Sequence, residues 1–153
     1  MKYIVYERNV CEIVEIKKNY IRGVDYYILR PLNDSSLKIS VPVNSKLIRD
    51  VISKEKAFEI INNIKNIDIL ENEKLIENEY KKLLDTGDLN DLVKIIKTTF
   101  LRNKERIDNK KKISEKDDEY FNKAEMYLYT ELGIALNMKN DDVKNYIINY
   151  LSK

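Results

Sequence analysis

Histidine and tryptophan are absent from this chain of 153 residues, cysteine occurs once, proline twice and glycine three times. Most of these absences close a class of function. Without histidine there is no Ser–His or Cys–His pair, no imidazole metal site and no ordinary general base for neutral pH. A lone Cys11 makes no internal disulfide and no thiolate metal cluster; it reads as a small apolar strand residue. Gly23, Gly87 and Gly133 stand too far apart for a dinucleotide fingerprint or a P-loop. No apolar run approaches the length that crosses a bilayer. Met1 to Ile16 is broken by Glu7, Arg8, Glu12 and Glu15, unlike a signal peptide, so a soluble, cytoplasmic protein is expected. The carboxylate pairs Asp117-Asp118 and Asp141-Asp142 fall at expected helix starts, where negative charge is favoured anyway. No catalytic residue, cofactor or metal site is therefore expected, and the chain reads as a non-enzyme.

What is present is charge and regular apolar spacing. Charged residues make up 35% of the chain, yet the net charge is only +2. Apolar residues recur with fixed periods, so the chain reads as folded, with length for one or two small domains. The charge is uneven. Lys94, Lys97, Arg102, Lys104, Arg106, Lys110, Lys111 and Lys112 cluster in one segment, against only Glu105 and Asp108. This excess suggests a polyanion partner, although charge runs are commonly just solvated faces.

The first half has the period of strands. Lys2 to Tyr6 and Val10 to Ile16 are short and rich in β-branched residues and tyrosine. Lys17 to Gly23 reads as a connection, with Gly23 free to take positive φ. Tyr26 opens the next strand. Asn33-Asp34-Ser35-Ser36 is a polar turn. Beyond it, Leu37, Ile39, Val41 and Val43 alternate with Lys38, Ser40 and Pro42, which sets the apolar set on one sheet face. Pro42 has no N–H to give, so it belongs at an edge or a strand end. The strand Leu37 to Val41 is accordingly expected at or near an open edge that docks another protein. The plain alternative is a strand covered within its own domain.

The second half has the period of helices. Ser53 is a plausible N-cap, and Ala57, Phe58, Ile60, Ile61 and Ile64 follow at helical spacing. The domain boundary is placed between residues 52 and 53. A second helix is expected from about Glu73 to Asp85, with Leu75, Ile76, Tyr80, Leu83 and Leu84 inward. Gly87 suits the left-handed position after it, and Asp88 the next N-cap. A third helix, Leu89 to about Arg106, is expected to bury Leu89, Leu92, Val93, Ile96 and Phe100, with Asp108 to Lys112 as a basic loop. Ser114 to Asp117 reads as a capping box with Asp in the acidic position. The fourth helix runs to about Leu136. Asn140 to Asp142 is expected to cap a fifth, with Val143, Tyr146, Ile147 and Tyr150 apolar. Strands followed by helices make the fold class α+β: a small sheet or partly open barrel, then a compact all-α domain of about five helices.

The ordered set of residues resembles the CarD/CdnL family of bacterial RNA polymerase-binding transcription regulators, whose N-terminal module is shared with the transcription-repair coupling factor. The resemblance rests on Val5-Tyr6, Ile13 to Ile16, Gly23 with Tyr26 to Leu29, and Val41-Pro42-Val43 in the first half. In the second half it rests on Ser53-Lys54-Glu55, Thr86-Gly87-Asp88 with Leu92 to Ile96, Arg102, Ile113-Ser114, Lys123-Ala124, Leu128 and Glu131-Leu132. It implies a Tudor-like N-terminal β-domain, residues 1–52, that adds its edge strand to the β subunit of RNA polymerase. It also implies a helical domain, residues 53–153, that acts at promoter DNA and affects open-complex stability. The family's wedge tryptophan falls near Glu73, and its following basic pair at Leu75 and Ile76. Polymerase-side basic residues of the family fall near Asn19 and Ser40. A carboxylate cannot unstack a base step as an indole does, so any DNA contact here is expected to work through charge.

The residues expected at polymerase are Asn19, Leu37, Lys38, Ile39, Ser40 and Val41. Those expected at DNA are Lys97, Arg102, Lys104, Arg106, Lys110, Lys111 and Lys112, with no helix-turn-helix or finger motif for base reading. The alternative is a polymerase-binding adaptor or competitor with no wedge; a small enzyme is a remote third.

Overall fold

The computed structural model describes residues 2–152. Two compact units divide the chain, Met1–Ile52 and Ser53–Lys153. The first is a five-stranded antiparallel open sheet, the second a set of five α-helices, so the fold is α+β.

The strands are β1 (Tyr3–Tyr6), β2 (Asn9–Ile21), β3 (Val24–Pro31), β4 (Ile39–Pro42) and β5 (Ile48–Asp50), in spatial order β4-β3-β2-β1-β5. Alternation builds the core: Ile4, Cys11, Leu29 and Val41 are buried together, with Tyr6, Ile13, Tyr27, Ile39 and Ile48 packed against them. Ile4, Leu29 and Val41, almost fully out of water, each contribute about 1.5–3 kcal/mol. Cys11 is a buried, unpaired thiol in the strand position expected for it.

β2 is longer than its apolar pattern suggested. Lys17 to Ile21, expected as a connection, continues the strand, and the turn is only Arg22-Gly23. Both turn residues have positive φ, 49° and 77°, the geometry of a two-residue hairpin turn whose twist matches its strands. Two register shifts break the ladder, after Ile13 and after Lys17. Asn19 lies within the second, at φ 49°, with its N–H on the Asp25 carboxylate at 2.9 Å. A polar strand end gives no period-two signal, which is why this ribbon was not legible.

β4 is shorter than expected. Leu37 and Lys38 lie outside it, in the bend after the polar turn, and Leu37 and Val43 are exposed rather than apolar-face residues of the core. The cause is the turn itself: the Leu37 N–H bonds the Asp34 carbonyl at 3.2 Å, so the chain is still turning there.

The helices are α1 (Lys54–Asn62), α2 (Ile76–Thr86), α3 (Leu89–Asp108), α4 (Glu115–Leu136) and α5 (Asn140–Leu151). Ser53 caps α1 by accepting from the Lys56 N–H at 3.1 Å. Gly87 takes φ 70° after α2, and the Asp88 carboxylate accepts from the Asn90 N–H at 2.7 Å to start α3. α4 ends on Asn137 in the left-handed region, and the Met138 N–H returns to the Gly133 carbonyl at 2.9 Å. This fold-back brings the Met138 carbonyl 2.8 Å from where a Cβ on residue 133 would sit, so only glycine fits.

Some expected core residues are not in the core. Phe58, Leu75 and Tyr146 are exposed. Leu75 ends a short helical turn before α2 rather than sitting inside that helix, which removes it from the apolar stripe. The α5 cap also differs: Lys139 occupies the cap position with no side-chain bond, and Asn140 instead donates to Thr130 Oγ1 at 3.3 Å.

Candidate functional site

Two features of the molecule bear on partners: the free edge of the sheet, and the fate of the basic segment in the helices.

β4 pairs only with β3, through Tyr26–Pro42, Tyr27–Val41, Ile28–Ser40 and Leu29–Ile39. The next pair in that register, Val43 with Asp25, is bonded from the Val43 N–H at 3.0 Å. Antiparallel ladders alternate bonded and non-bonded pairs. Ile39 and Val41 therefore bond inward to β3, while Ser40 and Pro42 point their main-chain groups outward. Pro42 has no N–H to offer, and its carbonyl accepts from the Ser45 N–H at 3.0 Å. That leaves Ser40, exposed, with an outward N–H and C=O and no main-chain partner among the described residues.

The opposite edge is less open. On β5 the outward residues are Ile48 and Asp50, because the Glu7 N–H bonds the Leu47 carbonyl in the same register at 2.9 Å. The Ile48 N–H is taken by the Ser45 carbonyl at 3.4 Å, and the Asp50 carbonyl accepts from Arg49 Nη1 at 3.1 Å. Among the expected polymerase contacts, Ser40, Ile39 and Val41 thus share β4. Leu37 and Lys38 precede it, and Asn19 sits apart on the β2–β3 ribbon. That ribbon exposes Ile16, Tyr20 and Ile21, none of them an expected polymerase contact. Tyr20 stands edge-on to Tyr26 at 5.4 Å, with the Lys17 ammonium 4.7 Å from its ring centre.

The basic segment divides into cations turned inward and cations left in solvent. Asp117, the acidic position of the expected capping box, is 2% exposed. Its Oδ2 accepts from Arg102 Nε and from Arg106 Nη1, each at 2.8 Å, and its Oδ1 accepts from the Tyr80 hydroxyl at 2.9 Å. Burial alone would raise this carboxyl, but the bonds from Arg102, Arg106 and Tyr80 outweigh it and hold the group below the usual aspartate range. Burial, then the Asp117 carboxylate, push the Tyr80 phenol up. The capping box is therefore half made. Ser114 Oγ accepts from the Asp117 N–H at 3.1 Å, but the Ser114 N–H goes to Asn103 Oδ1 at 2.9 Å, not to Asp117.

Lys97 is also occupied. Its ammonium donates to the carbonyls of Ile64, Lys65 and Ile67 at 2.9, 3.3 and 2.7 Å, which closes the chain after α1. Lys97, Arg102 and Arg106, expected at DNA, thus direct hydrogen bonds to acceptors within the helical unit. Lys104, Lys110, Lys111 and Lys112 remain exposed. Glu73, where the resemblance puts a tryptophan, is exposed and pairs with Arg102 Nη1 at 3.3 Å.

Among the described residues, no group of three or more Cys, Asp or Glu could hold a metal ion, and no helix is long and apolar enough to cross a membrane. The chain matches no protein-family model and no curated protein sequence.

Proposed function

We propose that this chain is a non-enzymatic, cytoplasmic transcription regulator whose sheet unit docks on the β subunit of RNA polymerase by strand addition. The observation that carries it is Ser40, which offers a main-chain donor and acceptor on a strand held from one side only. A foreign strand laid along β4 completes these bonds, and Leu37, Lys38 and Val43 beside them supply side-chain selection. The order of antiparallel sheet, then helices joined through Thr86-Gly87-Asp88, supports the Tudor-like module and helical domain of the CarD/CdnL resemblance. The helical unit then acts at promoter DNA by charge, through Lys104, Lys110, Lys111 and Lys112, and alters open-complex stability. Each phosphate neutralised adds salt-dependent affinity without sequence choice.

A second reading is favoured by the inward turn of Lys97, Arg102 and Arg106. In it the chain is an adaptor or competitor that holds polymerase and leaves DNA alone. Co-purification with the host's RNA polymerase tests the shared part: wild type retains the β subunit and Ser40→Pro loses it. Equal retention by both overturns docking through β4. A promoter-opening assay separates the two readings, since only the first changes the open fraction.

A further inference from the structure

α3 and α4 border a mostly apolar, open cavity of about 290 Å³, lined by Phe100, Asn103, Lys104, Ile107, Asp118 and Phe121. Neither polymerase docking nor the lysine loop accounts for it. Ile107, one of the lining residues, is 61% exposed, the highest of the large apolar side chains in the described chain. The wall is fixed in advance. The Asn103 carboxamide accepts from the Ser114 N–H, donates to the Ser114 carbonyl at 3.3 Å, and accepts from Arg106 at 2.6 Å. Lys104 brings a cation to the cavity from α3, and Asp118 an anion from α4. Both are exposed, and neither makes an ion pair with another described residue.

We propose that this groove is a two-fold interface between two copies of this chain. An isologous contact brings one patch against itself, so it needs a knob beside a hole and opposite charges on the two walls. The groove has both. In such a dimer Ile107 of each copy enters the other's cavity, and Lys104 faces the partner's Asp118, twice over. Other occupants match it less well. A polyanion satisfies Lys104 but meets Asp118, and it carries no aliphatic knob. A segment of one charge sign suits one wall only. The anchor is small, so the dimer is expected to be weak, dissociating in the micromolar range. The inference is independent of polymerase docking; it gives Lys104 to the dimer and leaves Lys110, Lys111 and Lys112 to the DNA reading.

Sedimentation equilibrium of the full chain, from about 1 to about 300 µM, tests it. Wild type shifts from monomer to dimer across that range. Ile107→Glu stays monomeric throughout, and because residue 107 is exposed its circular dichroism and Tm match wild type. Lys104→Asp and Asp118→Lys each weaken the dimer by about tenfold, and the double variant recovers most of the loss. A wild type that stays monomeric overturns the proposal. So does an Ile107→Glu chain that dimerises like wild type, or a double variant no better than either single one. Ser40→Pro dimerises normally; a dimer lost there but kept in Ile107→Glu belongs to the sheet edge and also overturns the groove.

Discussion

The two units treat their polar groups in opposite ways. In the sheet, Ser40 keeps a main-chain donor and acceptor facing solvent, although most backbone groups in a fold are paired. In the helices, side chains that solvate easily are drawn inward: two arginines and a tyrosine hydroxyl converge on one buried carboxylate. The sheet therefore offers a partner its backbone, and the helical unit spends part of its basic run on its own stability. A count of lysine and arginine along the chain overstates the positive surface for that reason. Breaking the inward cluster should unfold, whereas blocking the outward edge should only disconnect.

The largest expected effect is Asp117→Ala. It leaves two partly buried guanidinium groups and the Tyr80 hydroxyl without their acceptor, at about 3–5 kcal/mol. Urea denaturation followed by helical signal measures it, and a loss under about 1 kcal/mol would reduce the cluster to a surface ion pair. Replacing Arg102 and Arg106 by Glu belongs to the same class, since it strikes the core; it is therefore a poor probe of DNA contact.

The same cluster gives a pH dependence of known sign. The Asp117 carboxyl is lowered in the fold, so the unfolded chain binds the proton more readily. Its stabilisation is complete above the ordinary aspartate value of 3.8 and is lost as pH falls through the lower folded value. Asp117→Asn should flatten the acid limb of a Tm-against-pH curve; an unchanged slope would mean that another group controls it.

Lys97→Met comes next. It keeps the apolar stem but removes the ammonium from three carbonyls, and is expected to cost about 1.5–3 kcal/mol. Hydrogen exchange at Ile64 to Ile67 should rise if those carbonyls depend on it. The smallest effect on stability is Ser40→Pro, within about 0.5 kcal/mol, because the missing N–H faces outward and no internal bond is lost. Its Tm should match wild type while polymerase capture fails. Lys110, Lys111 and Lys112 changed together to Gln should likewise leave folding intact and flatten the salt dependence of any DNA binding. An unchanged salt slope favours the adaptor reading.

Much of the helical unit was legible because its signals are local. Ser53, Gly87 and Asp88 each act within one turn of chain, and each does what its chemistry suggests. The edge position of β4 was legible for a similar reason: an N–H-less Pro42 has few places to go in a sheet. Three features were not legible. The short β5 has no periodicity in Ile48-Arg49-Asp50 to mark it. The Lys17 to Ile21 ribbon is polar and bulged. Asp117 carried a cap signal that its carboxylate does not use, because Asn103 satisfies the Ser114 N–H and two arginines compete for the acid.

By itself the sequence determined the class of structure and most element starts, since caps, turns and apolar period act between residues a few positions apart. It also ruled out histidine and glycine chemistry outright. Only the tertiary structure decided which cations face solvent and which main-chain groups stay unpaired. Arg102 and Tyr80 reach Asp117 across 15 and 37 positions of chain, and whether a charge is spent inside the fold depends on what arrives beside it from that far away.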